Sequence, residues 1–226
     1  MTNGIKRQDP RKDPLVEWVV SAVQFLRENR KLVLAGIGGL VVVCGVVAGY
    51  WLYQERQEEE AGRILASVVI AIREEQRGSS PDQAQAIKRL REVIEKYPRT
   101  RRADEALIAV GSLENGTNKN DEALKTFDEY LGRFPRGRFV FLASLGKAYA
   151  QEAKGNLEGG ARTLSELLER YKDDPLAGEA YSGLARLYEE LKKTDDAMRT
   201  YSQITERYPQ SQWARHAVRR MGVLKK

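Results

Sequence analysis

Paired carboxylates are the residues whose type best suits acid–base chemistry in this chain: Asp104/Glu105, Glu189/Glu190 and Asp195/Asp196, with His216 as the single histidine. Their spacing does not serve that chemistry. Neighbouring residues on a helix point about 100° apart, so an adjacent pair does not converge on one reacting atom as general acid and general base. Solvated helix faces and first helical turns, where carboxylates answer the positive end of the helix dipole, account for them. His216 adjoins Arg215 and lies near Arg219, the setting of a surface or capping residue. No nucleophile elbow, phosphate-cradling glycine loop or metal-ligand spacing occurs, so the sequence predicts a non-enzymatic chain with no catalytic residue, cofactor or metal. What remains is recognition. Lys147 and Arg186 are candidates to grip a carboxylate or a backbone carbonyl, and Arg99, Arg101 and Arg102 form a second basic patch.

The elements that carry these residues are set by a repeat. Tyr97, Phe134, Tyr171 and Tyr208 stand 37 residues apart, and nine residues after each comes Ala106, Ala143, Ala180 or Ala217. Four coincident copies at one interval mark a repeat architecture. Each interval holds two amphipathic stretches joined by a short polar turn, around Asn115 to Asn120, Lys154 to Asn156 and Lys192 to Asp196. Gly, Asn and Asp supply caps and left-handed positions there, which predicts helix hairpins. A hairpin buries only part of its apolar face alone, so neighbours must stack into an all-α solenoid.

Tyr181, Leu184, Ala185, Tyr188, Ala197, Tyr201, Ile204 and Pro209 give the residue pattern of the last unit, which resembles the tetratricopeptide repeat. An earlier unit matches through Leu107, Gly111, Ala123, Phe127 and Pro135, with Glu114 in place of an aromatic. The middle unit matches through Leu142, Leu145, Gly146 and Tyr149, and then needs a turn two residues longer to reach Gly160, with Lys172 where proline is expected and Pro175 displaced. A 37-residue period exceeds the usual length of about 34, the surplus falling between hairpins. Hairpins are expected at 59–98, 103–135, 139–175 and 176–209, the first divergent but keeping Ala86, Leu90, Val93 and Pro98, with a capping helix at 211–224. The resemblance implies that the first helix of each hairpin lines a concave protein-binding face. Projected there are Glu105, Ile108, Ser112 and Asn115, then Val140, Lys147 and Gln151, then Glu179, Ser182, Arg186 and Glu189.

Upstream, Leu32 to Tyr53 runs 22 residues without a charge. As a helix of roughly 33 Å it is long enough for a hydrocarbon core of about 30 Å. The 31 residues before it distinguish it from a cleaved leader. Arg27, Arg30 and Lys31, backed by Lys6, Arg7, Arg11 and Lys12, crowd its first edge, whereas Glu55, Glu58, Glu59 and Glu60 follow the second, among Arg56, Arg63 and Arg73. That asymmetry predicts a cytoplasmic N-terminus, a single span and a domain outside, in the periplasm of a Gram-negative cell. Cys44 lies inside this run, so the outer domain has no disulfide. Gly45 and Gly49 form a small-xxx-small spacing for membrane-helix packing or homo-oligomerisation, and Tyr50, Trp51 and Tyr53 read as an interfacial belt. In Leu15 to Arg30, Glu17, Ser21, Gln24 and Glu28 share one face, and Leu15, Val16, Trp18, Val19, Val20, Ala22, Val23, Phe25 and Leu26 give a broad apolar surface suited to the lipid boundary or a partner helix.

The net charge of +6 divides evenly between the residues before the run and those after it, a mixed surface that argues against nucleic acid. The domains expected are therefore 1–31, a cytoplasmic tail; 32–53, a transmembrane helix; and 54–226, the repeat domain. Joined to FLRENRKL, a span ending YWLY and the linker QERQEEEA, the repeats resemble the membrane-anchored ancillary Sec-translocon subunit and cell-division-coordinator family. That resemblance implies a scaffold in the bacterial inner membrane whose partners are translocon subunits, a periplasmic chaperone and client polypeptides. YPxSxxAxxA segments also resemble those of outer-membrane assembly and Tol-associated proteins, which leaves an envelope adaptor as the alternative.

Overall fold

Ten helices form the described part of the chain, and no strand occurs among the described residues. The computed structural model describes residues 14–75 and 83–225. The basic tail residues Lys6, Arg7, Arg11 and Lys12, and the joint from Gln76 to Asp82 in the divergent hairpin, lie outside them, as does the side chain of Arg73. The chain divides into two units, the boundary falling after Glu55.

The first unit holds α1 (Pro14–Glu28) and the start of α2 (Arg30–Glu75). Pro14 opens α1 where a missing N–H costs nothing, and Asn29 joins the helices with its backbone N–H on the Phe25 carbonyl at 2.9 Å. Gln24 donates to Glu28 at 3.3 Å along the polar face, while Trp18, Val19, Val20, Val23, Phe25 and Leu26 are exposed. Over Arg30–Ala71, α2 is long and apolar enough to cross a membrane, and none of its most apolar window is buried.

The second unit begins with the remainder of α2, whose Ala61 and Val68 share a core with Ala86, Leu90 and Val93 of α3 (Gln83–Lys96). Three hairpins follow: α4 (Arg101–Gly116) with α5 (Asn120–Arg133), α6 (Val140–Ala153) with α7 (Leu157–Arg170), and α8 (Ala177–Glu190) with α9 (Thr194–Arg207). The helix α10 (Gln212–Leu224) ends the array. Inside each hairpin one turn residue has positive φ: Asn118 at 59°, Gly155 at 77° and Lys192 at 59°. They are 37 residues apart, so a left-handed residue closes every hairpin at the same place. Side-chain caps at Thr100, Asn156 and Ser211 start α4, α7 and α10. The longer connection from α5 to α6 wraps Tyr130, whose hydroxyl accepts from the Phe139 N–H at 3.0 Å while its ring packs on Phe134 at 5.2 Å.

Two apolar cores run through the stack, and α6 contributes to both. Ala143 and Ala150 join the core of α3, α4 and α5, whereas Phe141, Leu145 and Ala148 join that of α7, α8 and α9. On α10 the positions equivalent to Phe141 and Leu145 are Arg215 and Arg219, both exposed, as an end helix with no successor requires.

The structure corrects the register of the middle hairpin. The turns after α4, α6 and α8 are the same length, so no longer turn precedes Gly160. A Cβ on Gly160 would meet the carbonyl of Ala148 at 3.1 Å, which makes Ala148 the small residue of the helix crossing. Gly146 instead faces Phe127 of the preceding hairpin.

Candidate protein-binding site

With the register settled, equivalent positions on α4, α6 and α8 follow by adding 37: Glu105, Leu142 and Glu179; Ser112, Tyr149 and Arg186; Asn115, Glu152 and Glu189. These rows face the neighbouring first helices, and most of their polar groups are bonded from one hairpin to the next. Arg138 binds Asp104 at 3.2 Å and Glu105 at 2.5 Å, with Arg102 also on Glu105 at 2.9 Å. The Asn115 amide donates to the Gly146 carbonyl at 2.9 Å, and its own Oδ1 is buried with no partner among the described residues. Tyr149 donates to Glu179 at 3.1 Å, Arg186 pairs with Glu152 and Glu190, and Glu189 takes Arg220 and the Tyr201 hydroxyl. Leu142, 37% exposed, is an open apolar side chain in the same rows.

These bonds set the protonation of the face. Arg220 holds the Glu189 carboxyl below its ordinary value, against partial burial and with help from Tyr201. Burial raises Glu105, but Arg102 and Arg138 outweigh it and leave it lowered. Burial and Glu179 push the Tyr149 phenol up, so it stays a donor.

Val140, Lys147 and Gln151 lie on the opposite side of α6. Two residues of register turn a helix by about 200°, which carries Val140 and Lys147 from the expected face to the groove between α5 and α7, while Gln151, one residue from Glu152, turns to α7. Lys147 pairs with Asp128 of α5 at 2.6 Å, and Gln151 accepts from Thr163 of α7 at 2.8 Å. The groove has a volume of about 230 Å³ and a mixed lining, with Leu131, Pro135, Val140, Leu167 and Tyr171 interspersed with Ser144, Lys147, Thr163, Glu166 and Arg170. Ile108 and Ser182 belong to neither surface: Ile108 is half-buried against the first core, and the Ser182 hydroxyl donates to the Gly178 carbonyl at 2.9 Å. The eleven residues expected on one face are thus divided among three environments. Counting 37 onward from Glu105, Ser112 and Asn115 is the signal that finds Leu142, Tyr149 and Glu152; the same count links Arg170 to Arg133 and Arg207, and Arg138 to Arg101, and nothing comparable marks Ser144.

Of the acid pairs, Glu189 and Glu190 point to different partners, Arg220 and Arg186, whereas Asp104 and Glu105 share Arg138. His216 is exposed with its ring 6.3 Å from that of Tyr201. Among the described residues no group of three or more His, Cys, Asp or Glu is placed to hold a metal ion. In the first unit, Gly45 and Gly49 are open, with nothing within 4 Å of a Cβ at either.

The family model described as tetratricopeptide repeat matches residues 111–171 and 145–212. Over residues 111–212 the chain is therefore similar to tetratricopeptide repeats. Solved tetratricopeptide-like structures share the fold. A tetratricopeptide repeat protein from Parabacteroides merdae superimposes with a TM-score of 0.60 at 17% identity, covering 74% of this chain and 60% of that one. MamA from Desulfovibrio magneticus RS-1 gives a TM-score of 0.56 at 16% identity, covering 74% and 83%. No curated protein matches. A tetratricopeptide array is a protein-interaction scaffold and is typically non-catalytic.

Proposed function

We propose that this chain is a single-span scaffold of the bacterial inner membrane, N-terminus in the cytoplasm and tetratricopeptide domain in the periplasm, serving as an accessory of the Sec translocon and its chaperones. The observation that carries the membrane part is α2, whose most apolar window is wholly exposed although it is long enough to cross a bilayer. An exposed apolar surface of that extent belongs in lipid or against another apolar helix. The flanking charge asymmetry supports the orientation. The translocon part is supported by FLRENRKL, YWLY and QERQEEEA around the span.

Partners engage the groove between α5, α6 and α7. The other face spends most of its polar groups on its own neighbours, whereas the groove offers the apolar side chains of Leu131, Val140 and Leu167 beside the Arg170 guanidinium, which makes no ion pair among the described residues, and Lys147, which pairs with Asp128. A segment with an apolar side chain followed by a carboxylate fits that lining. Affinity purification after crosslinking in intact cells is the test. Recovery of translocon subunits and periplasmic folding factors is expected; their absence beside an abundant outer-membrane assembly or Tol-type complex would favour the envelope-adaptor alternative.

A further inference from the structure

The groove beside α6 has a counterpart at α10. Adding 74 to Leu131, Pro135, Val140 and Ser144 gives Thr205, Pro209, Ala214 and Val218. With Arg215 and Arg219, these four line a groove of about 370 Å³ where α10 packs on α9. At α6 the third wall is α7, and Phe141 and Leu145 are buried in the core that α7 shares. Their counterparts Arg215 and Arg219 are exposed, and no described helix covers them. A helix that only caps a stack is polar along its outer side. Val218 departs from that rule: it is 58% exposed, whereas its counterparts on α4 and α8, Leu107 and Tyr181, are buried. Gly222 has nothing within 4 Å of a Cβ. The spacing of Arg215, Val218, Arg219 and Gly222 puts all four on one side of α10, an open seam of the kind that packs on another helix.

The seam is also cationic. Residues 207–226 hold six basic side chains and no acidic one. Arg207 and Arg220 are answered by Asp173 and Glu189. Arg215 reaches only the Gln210 carbonyl, at 3.4 Å, and Arg219 makes no ion pair among the described residues. The carboxylates of the helices packed against α10 leave this unchanged. Glu179 is bonded to Tyr149, Glu189 to Arg220, Glu190 to Arg186 and Asp196 to Arg199. Asp195 and Glu206 of α9 keep their charge, but neither lines the groove, whose only charged side chains are the two arginines.

We infer that this groove takes an amphipathic helix of a partner protein, with its apolar stripe on Pro209, Ala214 and Val218 and carboxylates along its edge on Arg215 and Arg219. The occupant is a helix because α7 fills the equivalent slot beside α6, and the two guanidiniums fix the sign of its charge. Seated there, it extends the stack by one element. The surface shares no residue with the groove of α5, α6 and α7, so the domain has room for two partners at once.

The test places the full chain in phosphatidylcholine nanodiscs with a photo-crosslinking residue at Val218 and offers it two labelled helical peptides as long as α7. One carries leucines on a single stripe and glutamates along its edges; the other has lysines in place of the glutamates. Adducts of the glutamate peptide should exceed those of the lysine peptide roughly tenfold, since two exposed ion pairs are gained and two repulsions avoided, and salt should shrink the excess. The variant Arg215→Glu/Arg219→Glu removes no ion pair, so it should keep the melting temperature and reverse the preference. Equal adducts from the two peptides, no adduct from either, or a preference that survives the variant overturns the proposal. Adducts formed mainly between two copies of the chain also overturn it and make α10 a self-association face. Moving the crosslinking residue to Ser144 separates the two grooves: glutamate-peptide adducts there with none at Val218 overturn this site and leave the other standing.

Discussion

The ring of Phe127 on α5 occupies the space where a methyl group on Gly146 of α6 would have to stand, and a Cβ on Gly111 of α4 would meet the same ring at 2.7 Å. One aromatic side chain thereby sets the approach of three helices from two successive hairpins. Gly146→Ala must displace a ring that is almost wholly buried, an overpacking cost of about 1–3 kcal/mol. Gly132→Ala on the exposed side of α5 meets nothing and should stabilise by about 0.5–1 kcal/mol. Urea unfolding of the two variants checks the contrast; equal effects would remove Phe127 as the spacer.

The same contact explains which parts of the fold were legible in the sequence. The hairpins were, because their turns are local: a left-handed residue every 37 positions, occupied by Asn118, Gly155 and Lys192, marks each reversal without reference to packing. The register of α6 was not, because Gly146 and Ala148 are both small and only two residues apart. Pattern matching identifies small residues but not the neighbour each one admits, and here Gly146 admits Phe127 while Ala148 admits Gly160. The slip displaced Val140, Lys147 and Gln151 from the face that carries Glu105 and Glu179. Glu114 was visible only as a departure from an aromatic, since its partner Arg91 lies on α3 of the divergent hairpin.

Lys192 carries a φ of 59° at a place where Gly155 serves the preceding hairpin. A side chain in the left-handed region costs roughly 1–2 kcal/mol relative to glycine. Lys192→Gly should therefore raise stability by about 1 kcal/mol, and Gly155→Ala should lower it by a similar amount. Thermal melts of the two variants read opposite signs.

Glu114 is 2% exposed, and its carboxylate accepts from Arg91 at 2.7 Å and from the Thr126 hydroxyl at 2.7 Å. Removing the cation leaves a buried charge with one neutral donor. Arg91→Ala should cost about 2–3 kcal/mol, somewhat less than for a fully buried pair because Arg91 is half-exposed. The double variant Arg91→Ala/Glu114→Leu should recover part of that loss, since an apolar group needs no partner. A double-mutant cycle from urea unfolding gives the coupling; additive effects would show that the two groups act independently.

Acid should loosen the joints between hairpins before neutral pH does. Glu105 and Glu189 are both held below the ordinary value of 4.5 by their arginines. A lowered carboxyl contributes stability that is fully present above its unfolded value and is lost as pH falls through the folded one. Relative to the native chain, Glu105→Gln/Glu189→Gln should be less stable by about 1–2 kcal/mol at pH 7. The two stability curves should converge as pH falls below 4.5 and through the lowered values of the native carboxylates. Urea midpoints measured from pH 7 down to pH 3 test the sign; curves that stay parallel would mean that these carboxylates titrate alike folded and unfolded.

A photo-crosslinking residue separates the two faces of α4 and α6 as partner surfaces. At Ser144 it sits in the groove beside Val140 and Arg170; at Ser112 it sits in the exposed row between Glu105 and Asn115. Partner adducts should form at Ser144 and be weak at Ser112, because a partner at Ser112 meets groups already bonded to Arg138 and Gly146. Val140→Asp should then reduce the Ser144 adducts by placing a charge on the apolar lining, and Arg170→Glu should do the same by reversing the charge offered to a carboxylate. Arg170 borders the groove rather than a core, so an unfolding midpoint close to that of the native chain is expected for Arg170→Glu, whereas Val140 also packs against the first core and Val140→Asp should lower it. Strong adducts at Ser112 with none at Ser144 would assign recognition to the first-helix face and leave the groove as a packing feature of the repeat.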